Sequence, residues 1–100
     1  MYKDYTIAEL NALPAREYLT ALWGEHATGV LSAIDSVETT PMSTRSFLNH
    51  CTACGGNWGG MLLTGICELY PTVWEAIPDD MGTFAWNAIC TVCELLDIKD

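Results

Sequence analysis

Apolar residues along this chain recur at helical rather than strand spacing. Alternation of period two is not sustained and β-branched runs are absent, so no strands are expected. Leu19, Trp23, Val30, Ile34 and Val37 fall near one face of a helix predicted from about Pro14 to Val37. Pro14 suits its first turn, and Gly24 and Gly29 are weak points at which it can break. Before it, Thr6 followed by Glu9 is a capping box that opens a short helix through about Leu13. Thr40-Pro41 marks the next start, for a helix reaching about Cys54 and ended by Gly55-Gly56. Asn57 can cap a helix from Trp58 to Tyr70 that stops at Pro71, and a short helical turn, Thr72 to Ile77, ends at Pro78.

The last predicted helix, capped by Asp79 or Asp80 and reaching about Asp97, is the most apolar. Met81, Phe84, Ala85, Trp86, Ala88, Ile89, Cys90, Val92, Cys93, Leu95 and Leu96 cover most of its circumference, leaving Thr83, Asn87, Thr91 and Glu94 as one narrow polar stripe. A helix of this kind sits at the centre of a bundle or lays one face in an interface. The expectation is therefore an all-α fold: one domain over residues 1–100, a compact bundle of about five helices around a central hydrophobic C-terminal helix.

Composition adds a surface problem. Half the residues are hydrophobic and only 17% are charged, against about 25% charged in an ordinary domain. Some apolar surface is expected to meet another chain, either a partner or a second copy in a homodimer. Thirteen Asp and Glu face four Lys and Arg, a net charge of −9. No cation stands between Arg45 and Lys99, while Glu68, Glu75, Asp79, Asp80, Glu94 and Asp97 fall in that span. Direct nucleic-acid binding needs cations to displace counterions from phosphates, and an anionic membrane surface repels an acidic chain, so neither partner is expected. A protein with a basic surface is attracted instead.

No secretory signal is expected from Met1-Tyr2-Lys3-Asp4-Tyr5, which lacks a basic stretch followed by an apolar run. The uncharged stretch from Ser46 to Cys67 is long enough to span a bilayer, but Asn49, His50, Asn57 and five glycines exclude it as a membrane helix. Five cysteines form an odd set, which fits a reducing cytoplasm better than a disulfide framework.

Two of the cysteine pairs suggest chemistry. Cys51 and Cys54, and Cys90 and Cys93, are CxxC pairs that together offer zinc four thiolates in a tetrahedron. Cys51-Thr52-Ala53-Cys54-Gly55 resembles a zinc knuckle over five residues, in which the glycine lets backbone amides turn toward the thiolates. The competing account is that small apolar cysteines fill a helical core, which the position of Cys90 and Cys93 inside a helix favours. A redox CxxC wants its first cysteine at a helix N-terminus, whereas Cys51 falls near a predicted C-terminal end. His50 is adjacent to Cys51 and points elsewhere on a helix, and His26 has no motif to bring it near a nucleophile. Asp79-Asp80 after Pro78 read as caps rather than an acid–base pair. The glycine-rich turn from Gly55 to Gly60 has no Lys-Ser/Thr after it and no strand before it, so it is no phosphate loop. No catalytic set is assembled, and an enzyme is not expected.

The reading that remains is an acidic helical module that binds a protein with a basic surface, inhibition of that protein being one form the binding can take. Trp58 and Trp86 are its candidate aromatic anchors and Glu68, Glu75, Asp79 and Asp80 its candidate acidic contacts. In size and charge alone it is similar to the small acidic phage-type inhibitors that fill basic nucleic-acid channels. The alternative is a structural zinc module using Cys51, Cys54, Cys90 and Cys93.

Overall fold

The structure, a computed structural model, describes residues 4–50, 58–80 and 85–100. Seven helices and no strand are found among them: α1 (Ile7–Ala12), α2 (Ala15–Trp23), α3 (Glu25–Ser36), α4 (Thr44–Asn49), α5 (Trp58–Leu69), α6 (Pro71–Ala76) and α7 (Ala85–Leu95). The fold is all-α. Contacts close a ring of five helices, α2 to α3 to α6 to α5 to α7 and back to α2, with α1 lying on α2 and α4 on α5. The helix α7 thus packs between α2 and α5. It turns Ala88, Ile89, Val92 and Cys93 inward and leaves Trp86, Asn87 and Glu94 exposed.

Several starts and stops have a local cause. Thr6 and Glu9 form the predicted capping box, the Glu9 amide donating to Thr6 Oγ1 at 3.1 Å and the Thr6 amide to Glu9 Oε1 at 3.0 Å. The predicted helix from Pro14 to Val37 breaks into α2 and α3 at Gly24, whose φ of 59° and ψ of −125° strain any residue with a Cβ. Gly29 stays inside α3 with open space where a Cβ would stand. The Arg16 guanidinium on α2 binds the Asp35 carboxylate on α3 through both nitrogens, tying the two halves of that hairpin at its open end.

Helix α4 begins at Thr44, later than the Thr40-Pro41 start, because the preceding backbone is engaged elsewhere. Met42 pairs with Ile98 in a parallel bridge: its amide donates to the Asp97 carbonyl at 3.0 Å and its carbonyl accepts from the Lys99 amide at 3.1 Å. Ser43 then caps α4 by accepting from the Ser46 amide. The C-terminal tail reaches this position through a Schellman turn. The Ile98 amide donates to the Cys93 carbonyl at 2.8 Å, the Asp97 amide to the Glu94 carbonyl at 3.1 Å, and Asp97 takes the left-handed conformation at φ 64°. Its carboxylate accepts from Thr39 Oγ1 at 3.1 Å.

Pro71 ends α5 and occupies the first turn of α6, where a missing amide costs nothing. The predicted turn from Gly55 to Asn57 and the start of the last helix, with Met81, Thr83 and Phe84, lie outside the described residues. So do Cys51, Cys54 and the side chain of Trp58.

The core draws one fully buried side chain from each of six helices: Leu19, Val30, Phe47, Ile66, Val73 and Val92, with Leu96 just beyond α7. Among the described residues no polar or charged side chain is buried.

The two glycines of the α2–α3 hairpin give opposite expectations. Gly29→Ala removes unfolded-state freedom without a clash and should stabilise by roughly 0.5–1 kcal/mol, raising Tm by several degrees. Gly24→Ala forces a Cβ into a positive-φ backbone and should cost about 1–3 kcal/mol. Thermal and urea denaturation of the two variants check both signs, and a neutral Gly24→Ala contradicts the break described.

Candidate partner-binding surface

The short helix α6 sets the geometry of this surface. A six-residue helix can bury one narrow face, and here Val73 is its fully buried residue, with Ala76 packed partly against the core. Trp74 follows Val73 by about 100° of helical turn and is carried outward. It is 40% exposed. Pro78 lies just beyond the end of α6, in the segment that carries Asp79 and Asp80 across the surface.

A pocket of about 210 Å³ opens at this place, lined by Leu63 of α5, Trp74, Glu75, Ile77, Pro78 and Asp79. Its lining mixes apolar side chains with two ionisable groups, both carboxylates. Among the described residues the side chains of Glu75 and Asp79 make no hydrogen bond or ion pair. The cations of the described chain belong to other elements: Arg16 to α2, where Asp35 neutralises it, Arg45 to α4, and Lys99 to the C-terminal tail.

Glu75 and Asp79, both singled out in the sequence, are therefore brought to one pocket. Glu68 is exposed near the end of α5 and Asp80 is exposed beside Asp79, but neither lines it. Trp86 is 45% exposed on α7, also away from this lining, and is the aromatic on which self-association through the last helix would draw. Trp74 was not singled out. Its signal was the placement of Trp74-Glu75 between Pro71 and Pro78, a helix too short to bury a second face.

Helix α7 is flanked by two further grooves. The one toward α2, about 440 Å³, is lined by Asn11, Leu13, Pro14, Ala15, Tyr18, Asn87, Cys90, Thr91 and Glu94, so the polar stripe read along the last helix forms one of its walls. Thr91 already donates to the Asn87 carbonyl at 2.7 Å, which leaves its oxygen as an acceptor. The groove toward the C-terminal tail, about 340 Å³, is lined by Thr44, Leu62, Cys90, Cys93, Glu94, Ile98, Lys99 and Asp100.

Cys90 and Cys93 thus meet one groove from one face of α7, which is the arrangement two zinc ligands would need. Among the described residues no group of three or more potential metal ligands gathers, and Cys51 and Cys54 lie outside them. Cys67, Cys90 and Cys93 are free thiols. Burial pushes the Cys93 thiol up to about 12, with the neighbouring Cys90 adding to the effect, and burial also raises Cys90. A thiol held neutral in this way behaves as a small hydrophobe, inert as a nucleophile.

Comparison with protein-family models, with curated proteins and with solved structures finds no match to this chain. No described helix is long and apolar enough to cross a membrane.

Stability should respond to alkali through these groups. The folded chain keeps the Cys93 proton where the unfolded chain releases it. Stability intact below about pH 9, the ordinary thiol value, is therefore lost as pH rises toward about 12. Tyr70, raised by burial and by the nearby Asp97 and Cys93, acts in the same direction. Urea midpoints measured on either side of pH 9 should fall with rising pH. Alkylation of the native protein should leave Cys93 unlabelled while labelling it fully in urea. A flat midpoint together with ready native labelling of Cys93 refutes this account.

Proposed function

We propose that this protein is a non-enzymatic, acidic protein-binding module of the cytoplasm that regulates a partner by occupying a basic surface on it, with the interface centred on α6. The observation that carries this reading is the joining, at one partly apolar pocket, of a half-exposed tryptophan and two carboxylates that are unpaired among the described residues. Tryptophan is enriched among the residues that dominate binding energy, and apolar walls beside unpaired charge match a partner with both an apolar and a cationic contact. The charge of −9 supplies long-range attraction to such a surface.

A continuous imitation of a phosphate backbone receives less support than a local anchor. Glu25 stands in the first turn of α3 and Glu38 just past its end, about 20 Å apart at 1.5 Å per residue. Asp35, between them, is neutralised by Arg16. The acids of this helix therefore make no unbroken row, and recognition falls to the mixed apolar and acidic surface at α6.

Capture from extracts of the source cell by the wild-type chain, compared with Trp74→Ala and Glu75→Lys, tests the reading. Both substitutions fall on exposed positions and should leave helicity and Tm nearly unchanged. Trp74→Ala should weaken capture of a specific partner by about 2 kcal/mol or more, roughly thirtyfold. Glu75→Lys should weaken it further at low salt than at high salt. Capture indifferent to both changes removes α6 from the interface and overturns the proposal.

A further inference from the structure

The α6 pocket is small for an independent ligand. Its volume of about 210 Å³ holds the equivalent of roughly seven waters at about 30 Å³ each. Sites that enclose a drug-sized molecule begin near 300 Å³. The space suits a single long side chain delivered by a larger molecule. Its chemistry narrows the choice further. Leu63, Ile77 and Pro78 offer walls for an aliphatic stem, Trp74 offers an aromatic face, and Glu75 and Asp79 offer carboxylates with no cation of their own. A stem ending in a cation satisfies all three.

Resting on the protein-binding reading above, we infer that the occupant is an arginine side chain of the partner protein. Its guanidinium stacks on Trp74 and donates to Glu75 and Asp79. Arginine is selected over lysine by two features of the pocket. A planar, weakly hydrated guanidinium stacks on an indole with less desolvation than an ammonium ion does. Its fork of donors serves two carboxylates at once, whereas an ammonium acts as a point charge. Lysine therefore enters with the stem contacts retained and the stacking and fork geometry lost.

The inference also accounts for the position of the carboxylates. Each stands at the pocket without an internal partner, so an incoming cation displaces no existing ion pair. The Arg16–Asp35 pair on α2 and α3 shows the contrary arrangement, in which the chain neutralises its own acid.

The test uses nitrogen-15 labelled full-length protein and three blocked tripeptides, Gly-Arg-Gly, Gly-Lys-Gly and Gly-citrulline-Gly, followed by proton–nitrogen NMR. The arginine peptide should shift the Trp74 indole N–H and the Glu75, Ile77 and Asp79 amides saturably, with a dissociation constant on the order of millimolar, as one side chain allows. The lysine peptide should bind roughly threefold to tenfold more weakly, and the uncharged citrulline peptide should give no saturable shift. The Glu75→Gln/Asp79→Asn variant should lose the response while its remaining spectrum stays in place, and Trp74→Phe should bind but discriminate less. Equal responses to arginine and lysine, shifts mapping to the grooves beside α7, or a response surviving in the double variant would each overturn the assignment. If partner capture depends on Trp74 while the tripeptides behave alike, the arginine occupant fails and the protein-binding reading stands. If capture ignores Trp74, the reading fails first.

Discussion

No helix in the described chain exceeds twelve residues, and three have only six. Isolated helices of that length are marginal in water, because the first turn fixes several dihedrals for each hydrogen bond gained. Each element therefore depends on the core it shares with the others. Leu19, Val30, Phe47, Ile66, Val73 and Val92 are the points at which six helices enter that core. A ring of five helices closes around them, with α1 and α4 each packed on one member of the ring. The tail after α7 completes the arrangement by returning to Met42 and fixing the segment before α4.

Much of this was legible in residue spacing. The capping box at Thr6, the α5 span from Trp58, the short helix between Pro71 and Pro78 and the inward face of α7 all follow from caps, prolines and apolar period. The two departures share one cause, backbone geometry set outside the local pattern. Between Pro14 and Val37 the apolar stripe runs on without interruption, since Trp23 and Ala27 both face the core. Only the dihedrals of Gly24 reveal a turn between two helices rather than a weak point in one. At Thr40-Pro41 the local signal for a start was sound, but the main chain at Met42 is committed to a bridge with Ile98, fifty-six positions away. No window along the sequence contains both partners.

The candidate surface was legible in part for the same reason. Glu75 and Asp79 stood out because their span of chain has no cations, a property of composition. Trp74 did not, because an aromatic beside a buried valine reads as core until the length of its helix is weighed. Six residues present one inward face, so of Val73 and Trp74 only one could be buried. The assignment of Leu63 and Ile77 to the same pocket depends on α5 packing against α6, which spacing alone does not give. For Cys90 and Cys93 the position inside a long apolar helix pointed to core packing. The burial of Cys93 and its strongly raised thiol agree with that.

The acidic excess and the short core bear on each other. Among the described residues no carboxylate is fully buried, and a net charge of −9 on a chain of 100 residues makes the compact state repel itself. Internal relief is scarce, since four cations serve thirteen acids and one of the four is held by Asp35. A cationic partner of the kind proposed would therefore supply more than an interface: by binding only the folded chain it would add to stability through mass action. Helix α6 is held by Val73 and the partly buried Ala76 and carries Glu75, with Asp79 in the segment just beyond it. Under that proposal, contact at Trp74, Glu75 and Asp79 would press α6 onto α3 and α5, its neighbours in the ring, and recognition at the pocket would strengthen closure of the bundle.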